Sequence, residues 1–477
     1  MDPFQRDAID AIARGESVIV CAPTGAGKTL IAEYAVERAL AAGERVIYTA
    51  PIKALSNQKF RDFTARFPGR TGILTGDVSI RPEAPLVIMT TEIYRNRLLE
   101  DPDRTFAQTI IFDEIHYLSD QERGTVWEES LIFTPPGARI LCLSATIPNL
   151  DPFHGWLRAL RDEPVRAVAT DVRPVPLRQF LFLKGIGAVS WEAVGRGFSH
   201  IPERIGRNAA TVRLLREVAD KGHLPCLHFA FSRRRCEDVA QTAAQVAPVD
   251  PGRARALSRL YRRLVRRYDL GDHAEAVRMG RLVERGAAYH HAGLLPSLKE
   301  IVERCFTTGA LPWLAATETF AMGINMPAAT VIFDEVTRYN GVSVEFLSPR
   351  DYQQMSGRAG RRGMDTEGHV WVQVDPRDAD PAPLRRALLG PPEPIVSRLN
   401  LGYATLLELR QRHGEAAEEV IGRSFAVFCH HTGKGGSRPD PWRAEMAART
   451  RVLRELGYLQ GESLTPKALF ALRVSGH

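Results

Sequence analysis

Cysteine is scarce in this 477-residue chain, and its few copies are scattered. No CxxC pair occurs and several cysteines lie inside apolar runs, so we expect buried free thiols in a reducing cytoplasm rather than disulfides or a zinc site. No apolar run approaches the roughly 20 residues that span a bilayer, and the start, MDPFQRDAID, lacks the order of a secretory signal. We therefore expect a cytoplasmic protein without a membrane partner. The six cysteines are Cys21, Cys142, Cys226, Cys236, Cys305 and Cys429.

Lysine is scarce as well, since only eight of the 63 basic residues are lysines. The formal net charge is +7, a mild excess that is compatible with a polyanionic partner. The densest basic patch is RARALSRLYRRLVRRYD at 253–269. Its apolar residues recur at helical intervals, and most of its arginines fall between them on the other face. This pattern predicts an amphipathic helix whose basic face is either solvated or a nucleic-acid surface.

The chain is too long for one compact core, and its length indicates about three domains. Short β-branched runs, namely ESVIVCA, ERVIYTA, PLVIMTT, TIIFDE and ARILCLSAT, alternate with helical stretches. This alternation is typical of a parallel sheet covered by helices. It returns in LPCLHFAFS, PWLAATE, TVIFDE and HVWVQV after a proline-broken stretch at 171–180. We predict an α/β domain at 1–170, a similar one at 171–385, and a small, mostly helical tail at 386–477.

The tail ends in TRVLRELGYLQGESLTPKALFAL at 450–472. This stretch predicts a helix, a short hairpin and a second helix, the order found in a winged-helix module.

The strongest local signal is CAPTGAGKT, which follows an apolar strand-like run and precedes a helical one. In that context the loop is a phosphate cradle: glycines let backbone amides turn toward the phosphates at the helix N-terminus. Lys28 would reach the β- and γ-phosphates, and the Thr29 hydroxyl would coordinate Mg²⁺. The remaining predicted cradle residues are Thr24, Gly25, Ala26 and Gly27.

An acidic pair follows nearly the same strand twice, in TIIFDEIHYLSD at 109–120 and TVIFDEVTRYNG at 330–341. Asp113 is the candidate for holding Mg²⁺, and Glu114 for polarising the attacking water. Neighbouring side chains on a strand point to opposite faces, so both can serve one site only if the strand ends at Asp113. Asp334 and Glu335 follow no phosphate cradle, so we expect structural or interdomain roles for them.

Several motifs occur together in one order, and they resemble those of superfamily 2 helicases, in particular the superkiller-type (Ski-like) DExH-box group. They are APTGAGKT, TAPIKALSNQK, TGD, MTTEIYRN, FDEIH, LSAT, FAFSRRR, ATETFAMGINMPA and QMSGRAGRRG. The resemblance covers roughly residues 1 to 430. It implies two tandem RecA-like domains, ATP hydrolysis with Mg²⁺, and movement 3′ to 5′ along a single strand. The wording of the motifs is closer to the RNA-processing branch than to the DNA-repair branch.

The resemblance also implies roles at the nucleotide. Gln5, preceded by Phe4, would read the adenine edge. In QMSGRAGRRG, Gln354 would orient the attacking water, and Arg358 and Arg361 would supply positive charge to the transition state. Those arginines come from the second domain, which would couple hydrolysis to domain closure. An arginine-glycine loop that binds RNA phosphates is the alternative for this motif. The remaining nucleotide candidate is Gly323, in ATETFAMGINMPA.

For nucleic acid, the resemblance points to small hydroxyls, amides and basic side chains at strand ends. Such groups hold phosphates and sugars without reading sequence, although threonine is also common at strand ends for structural reasons. The candidates are Pro51, Lys53, Thr90, Thr91, Arg95, Ser232, Arg233, Thr317 and Thr319.

The partner we expect is single-stranded RNA, with DNA as the alternative, and proteins of RNA degradation are further candidate partners of a monomeric chain. A DNA helicase of the repair branch and an ATPase clamp that remodels complexes without unwinding are the rival functions. A binding module without catalysis is disfavoured because the ATP-site residues occur together. The spacing leaves no room for the arch of some relatives, and the chain stops where relatives continue into a ratchet domain.

Overall fold

The computed structural model describes residues 1–101, 106–189, 206–246, 249–321, 326, 328–339, 342–375, 381–399, 402–414, 417–432, 441–461 and 463–475. The chain forms two compact units. The first comprises Met1–Ala22, Gly27–Asp171 and Pro394–His477, and the second comprises Val172–Glu393 with the short segment Pro23–Ala26. The predicted domain boundaries after residues 170 and 385 stay predictions.

The first unit is built on an eight-stranded sheet in the order β4-β3-β5-β2-β6-β7-β1-β8. All neighbours pair in parallel except β3 and β4. The central strands are buried along their whole length, which is why they appear in the sequence as continuous apolar runs. The strands are β1 Ser17–Cys21, β2 Val46–Ala50, β3 Thr71–Leu74, β4 Ser79–Ile80, β5 Leu86–Thr90, β6 Thr109–Asp113, β7 Arg139–Ser144 and β8 Val165–Ala169.

Helices cover this sheet and close its core, in which Trp127, Trp156 and Tyr94 are fully buried. The helices are Pro3–Ala13, Thr29–Ala41, Lys53–Arg66, Thr91–Glu100, Gly124–Phe133 and Leu150–Leu160, with a 3₁₀ turn at Ile115–Ser119.

The second unit contains a seven-stranded sheet in the order β10-β9-β17-β14-β11-β13-β12, parallel except for the edge pair β9 and β10. Its strands are β9 Leu177–Leu183, β10 Gly187–Val189, β11 Cys226–Phe229, β12 Ala287–His290, β13 Trp313–Ala316, β14 Thr330–Phe333 and β17 Gly368–Val374, and a separate hairpin is formed by β15 Thr337–Tyr339 and β16 Val344–Phe346. Its helices are Arg207–Asp220, Arg233–Val246, Pro251–Arg267, Ala274–Val283, Pro296–Thr307, Glu318–Ala321, Pro349–Ser356 and Pro381–Leu389.

Two parallel-dominated sheets with helical covers confirm the predicted tandem RecA-like α/β fold. One detail of the prediction was wrong. The strand before SRRRC was predicted to be the first strand of the second domain, but β9 begins earlier, at Leu177 inside the proline-broken stretch 171–180, and pairs with β17 over its whole length. β9 rather than β11 is therefore the first strand of the second sheet. Its prolines precede the strand, where their lack of an N–H costs no ladder hydrogen bond.

The tail packs on the first unit. Asn149 exchanges two hydrogen bonds with the backbone of Ile395, each 2.7 Å long. The indole N–H of Trp156 donates to the Arg423 carbonyl at 2.8 Å. The predicted order of helix, hairpin and helix near the end is confirmed. The tail elements are the helices Tyr403–His413, Ala417–Gly422, Phe425–Thr432, Pro441–Glu455 and Pro466–Ser475, with the hairpin β18 Leu459–Gln460 and β19 Ser463–Leu464.

A buried carboxylate fixes the tail in place. Glu128 is fully buried, and its two oxygens accept hydrogen bonds from the Phe425 N–H and the Ser397 hydroxyl, both at 2.7 Å. Burial raises the pKa of Glu128 to about 7, although the two hydrogen bonds lower it in part. The attachment of the tail is therefore sensitive to the protonation of one residue.

Candidate active site

The predicted phosphate cradle lies between a buried strand and a helix, as its sequence context required. β1 ends at Cys21 and the next helix begins at Thr29. Between them, Gly25 and Gly27 have φ angles of +84° and +92°, a region in which residues with a Cβ are disfavoured. The loop therefore needs glycine at both positions, and it brings backbone amides to a helix N-terminus that suits a bound phosphate. The backbone conformation of this loop therefore fits the phosphates of ATP.

Lys28 caps the N-terminus of this helix, and its ammonium donates to the Ala22 carbonyl at 2.6 Å. The positive charge acts on the buried groups around it, because it opposes the effect of burial on the pKa values of Cys21 and Asp113. Lys28 thus places a positive charge beside the carboxylate predicted to hold Mg²⁺.

Asp113 is the last residue of β6 and is almost fully buried. The Tyr48 hydroxyl donates to its Oδ2 at 2.5 Å, and Lys59 Nζ lies 3.7 Å from the same oxygen. Burial raises the pKa of Asp113, and Lys59 is the strongest of the neighbours that lower it. Lys59 and Lys28 favour the ionised form of this buried carboxylate, which is the form that can hold a divalent cation.

Glu114 does not continue the strand. Its backbone adopts the left-handed conformation, with φ +62° and ψ +46°, and it precedes the 3₁₀ turn. This confirms the requirement that the strand end at Asp113. The side chains of Asp113 and Glu114 therefore do not have to point to opposite faces of the sheet. His116 Nδ1 lies 3.4 Å from Glu114 Oε2. A strained backbone at a proposed general base is typical of functional sites.

Gln5 holds the first helix to the cradle. Its amide donates to the Gly27 carbonyl at 3.0 Å and accepts from the Asp2 N–H at 2.9 Å, in a capping box with Pro3 at the first helical position. Gln5 and its neighbour Phe4 are both buried. The predicted contact of Gln5 with adenine stays a prediction.

The predicted residues of QMSGRAGRRG lie at the end of helix Pro349–Ser356 and in the loop after it. Gln354 is buried, and its Nε2 has no hydrogen-bond partner among the described residues. Arg358 is partly exposed. Arg361 forms a two-point pair with Asp365, with N···O distances of 2.7 and 2.8 Å. Burial favours the neutral acid, but the Arg361 guanidinium holds the pKa of Asp365 below its usual value.

Comparison with known proteins agrees with this geometry. A DEAD/DEAH box helicase family model matches residues 2–153, and a helicase conserved C-terminal domain model matches residues 266–363. The chain is 38% identical over 500 residues to Superkiller complex protein 2 of Homo sapiens, a match that covers 97% of the chain. The chain is thus similar to superkiller-type DExH-box helicases over most of its own length.

Two further helicases of this group are similar over 90% of the chain. The ATP-dependent RNA helicase mtr4 of Schizosaccharomyces pombe is 38% identical, and the DExH-box ATP-dependent RNA helicase DExH10 of Arabidopsis thaliana is 37% identical. The matches cover 39% of the human protein, 41% of the yeast protein and 47% of the plant protein. The chain therefore spans less than half the length of these relatives. Across the residues that the structure describes, no helix has the length and apolar character to cross a membrane.

The nucleic-acid candidates of the first unit differ in exposure. Lys53 is exposed and pairs with Asp77 at 2.5 Å. Pro51, Thr90 and Thr91 are buried, and the Thr91 hydroxyl donates to the Ala50 carbonyl at 3.4 Å. Arg95 is mostly buried and pairs with Glu129 at 3.2 Å. Lys53 thus presents a solvent-facing charge, while the roles of all five at nucleic acid stay predictions.

The candidates in the second unit lie at strand ends, as predicted. Ser232 and Arg233 follow β11 and are exposed, and the Ser232 hydroxyl caps the next helix by accepting from the Arg235 N–H at 3.2 Å. Thr317 follows β13 and is partly exposed. The Thr319 side chain and all of Gly323 lie outside the described residues.

Three residues that contact predicted site residues were not themselves predicted from the sequence. Tyr48 and Lys59 reach Asp113 from β2 and from helix Lys53–Arg66. The helical pattern could have revealed Lys59, which falls on the buried face together with Leu55 and Phe63. Arg173 lies in the second unit, where it donates to the Thr24 carbonyl at 2.8 Å and burial lowers its pKa to about 10. No sequence signal distinguishes Arg173 from the other arginines of the chain.

The second acidic pair behaves differently from the first. Asp334 is completely buried and accepts hydrogen bonds from Arg235 at 2.6 and 2.9 Å and from Arg207 at 2.7 Å. Burial opposes ionisation, but His228 and Arg235 hold the pKa of Asp334 far below its usual range. Glu335 pairs with Arg207 at 2.8 Å. Both acids are thus bound to arginines of their own unit, as expected for structural residues.

Proposed function

We propose that the chain is an ATP-dependent RNA helicase that moves 3′ to 5′ along single-stranded RNA. The observation that carries the proposal is the buried Asp113 at the end of β6, set beside Lys28 of the phosphate cradle and followed by Glu114 in a left-handed conformation. The names of similar proteins support RNA as the substrate, because they include RNA helicases from yeast and plant.

The proposed chemistry is hydrolysis of ATP with Mg²⁺. The bound ion would supply positive charge to the phosphate oxygens, and Thr29 and Asp113 would hold it. Lys28 binds the phosphates, and Glu114 accepts a proton from the attacking water. Tyr48 and Lys59 keep Asp113 ionised and in place. The roles that the family resemblance implies for Gln354, Arg358 and Arg361 belong to the same proposal.

The proposal extends to a function of the chain in RNA processing or decay, in which it would bind partner proteins. Its support is the names of similar proteins, which include Superkiller complex protein 2 and Exosome RNA helicase MTR4. A cytoplasmic location and a monomeric state stay predictions from the sequence.

The test is ATP turnover by the purified chain, alone and with single-stranded RNA or DNA of the same sequence, beside unwinding of duplexes with 3′ or 5′ single-stranded tails. We expect stronger stimulation by RNA and unwinding of the 3′-tailed duplex. Turnover that neither polymer stimulates would contradict the helicase proposal. Stronger stimulation by DNA would favour the DNA-repair branch, and stimulation without unwinding would favour an ATPase clamp. A Lys28→Ala variant controls for contaminating ATPases.

A further inference from the structure

The basic patch noted in the sequence forms a helix, Pro251–Arg267, with one strongly positive side. Residues 251–285 contain ten arginines against four acidic residues, a surplus of six positive charges in a chain whose formal net charge is +7. The helix itself contains no Asp or Glu. Six of its arginines are exposed, and we call them the arginine face. They are Arg255, Arg259, Arg262, Arg263, Arg266 and Arg267.

The helix is held firmly on the second unit by its other side. Leu257, Tyr261 and Leu264 are buried in the core, and the Tyr261 hydroxyl donates to the Ala276 carbonyl at 2.7 Å. Asp250 caps the N-terminus by accepting from two backbone N–H groups, at 2.9 and 3.0 Å. The arginine face is therefore presented by a fixed element rather than by a loop.

The guanidinium groups of the arginine face are available for a partner. Arg255, Arg259 and Arg263 form no hydrogen bond or ion pair with any residue that the structure describes. Arg262 pairs with Glu284 at 2.9 Å, but both side chains are exposed, and exposed pairs hold weakly. Several arginines stand four positions apart, as Arg255 and Arg259 do, and like charges at that spacing destabilise a helix. A polyanion laid along the face would relieve this repulsion.

The chemistry of the face indicates which polyanion. A membrane-surface helix inserts its apolar side into lipid, whereas here that side is packed in the core. A protein interface has apolar or aromatic residues at its centre, whereas Ala256 is the one exposed residue between Arg255 and Arg267 that is not an arginine. The arginines at positions 255, 259, 262 and 266 follow one another about 4.5 to 6 Å apart along the axis. A row of evenly spaced charges without an apolar centre suits the phosphates of a nucleic-acid backbone.

We propose that the arginine face of helix Pro251–Arg267 is an RNA-binding surface of this helicase, additional to the strand-end residues predicted to contact nucleic acid, and that it holds the phosphate backbone without reading sequence. The inference rests on the proposed function for the identity of the polymer. The arginine face binds RNA, and ATP hydrolysis takes place at the separate site around Asp113.

The test compares the full chain with two triple variants of equal charge. One variant, Arg255→Ala with Arg259→Ala and Arg263→Ala, removes three arginines of the face. The matched control, Arg213→Ala with Arg216→Ala and Arg385→Ala, removes three exposed helical arginines elsewhere in the second unit. Alanine favours helix at all six positions, and circular dichroism with thermal unfolding verifies that both variants fold.

RNA binding is measured by fluorescence anisotropy with a labelled single-stranded RNA over a series of salt concentrations. Loss of three phosphate contacts should make the slope of log affinity against log salt shallower by about 2. We expect affinity to fall roughly tenfold or more at about 0.1 M salt for the face variant, and to stay near wild type for the control. Single-stranded DNA should show the same difference, because the contacts are to the backbone.

ATP turnover separates this proposal from the proposed function. In the face variant, the RNA concentration that half-saturates turnover should rise by the same factor, while turnover at saturating RNA and without RNA stays at the wild-type value. If both triple variants lose affinity equally, or the face variant loses none, the arginine face is not an RNA site. If the wild-type chain itself shows no RNA-stimulated turnover, the proposed function fails instead.

Discussion

Lys59 lies 3.7 Å from Asp113, measured from Nζ to Oδ2, and both side chains are almost fully buried. Burial raises the pKa of this carboxyl, and the Lys59 ammonium is the largest influence that lowers it again. Lys59 therefore keeps the carboxylate ionised at the place where the proposed reaction needs a ligand for Mg²⁺.

Lys59→Met, which keeps the volume and removes the charge, should raise the pKa of Asp113 further. The protonated acid cannot bind the ion, so the acid limb of the pH profile of ATP turnover should move to higher pH. The profile is measured beside Lys221→Met, which removes an exposed lysine paired only with Glu217 on the surface of the second unit. Identical acid limbs in wild type and Lys59→Met would show that Lys59 does not govern Asp113.

Glu114→Gln should bind ATP with nearly unchanged affinity and lose turnover by a factor of roughly 10² to 10⁴, because the amide cannot accept the proton of water. Lys28→Ala should weaken both binding and turnover, because the ammonium is expected to contact the phosphates before and during reaction. Titration with a fluorescent ATP analogue and a phosphate-release assay measure the two quantities. Normal turnover by Glu114→Gln would mean that another residue is the general base.

The left-handed backbone of Glu114 predicts a difference between two further variants that both remove the carboxylate. Glycine adopts this conformation freely, whereas residues with a Cβ pay about 1–2 kcal/mol. Glu114→Gly should therefore have a higher thermal unfolding midpoint than Glu114→Ala, although both are inactive. Calorimetric scans of the two proteins measure it, and equal midpoints would show that the position carries no strain.

Glu128 predicts that the stability of the first unit depends on pH. Its pKa is raised to about 7 in the folded protein, so the folded state holds a proton that the unfolded chain releases from about pH 4.5 upward. Stability from this group is therefore present at low pH and is lost as the pH rises toward 7, by on the order of 3 kcal/mol.

Glu128→Gln can keep contacts with the Phe425 N–H and the Ser397 hydroxyl while removing the titration. The change in unfolding midpoint between pH 5 and pH 8 should be smaller in this variant than in wild type. Glu122→Gln, which alters an exposed acid of the same unit, serves as the control. An unaltered pH dependence in Glu128→Gln would contradict the assignment.

Asp334→Asn should act on stability rather than on ATP. Removing the buried carboxylate leaves Arg235 buried without its ionic partner, which costs about 3–5 kcal/mol. The folded fraction of this variant should still bind ATP, because Asp334 contacts only groups of the second unit's own core among the described residues. Chemical denaturation and nucleotide titration test the two statements. Loss of ATP binding in well-folded Asp334→Asn would overturn the structural assignment.

The sequence predicted the strands that are continuous apolar runs, and it missed those that are not. All nine runs quoted as strands are confirmed, because burial on both faces of a parallel sheet leaves a clear signal. β9 and β12 are among the strands that were missed. β9 begins within a proline-rich stretch, and the four residues of β12 are too few to show a period.

The candidate site was predictable where chemistry is local and less so where it depends on tertiary contacts. The cradle from Thr24 to Thr29 and the end of β6 follow from adjacent residues. Lys59 and Tyr48 contact Asp113 only because β2 and β6 are neighbours in the sheet. Both residues lie more than 50 positions before Asp113 in the sequence. The two-point pair of Arg361 with Asp365 was also not predicted from the sequence, because Asp365 lies outside the motif QMSGRAGRRG.

The return of the tail to the first unit has a consequence for synthesis. Residues 1–171, which contain every strand of the first sheet, leave the ribosome before the second unit does. Phe425, which packs on Phe153 and Trp156, is made only after the whole second unit. Until then the nascent chain exposes these aromatic rings and leaves Glu128 without its two donors. The first unit therefore stays incompletely folded until the ribosome has synthesised the second unit. A chaperone would be needed during that interval.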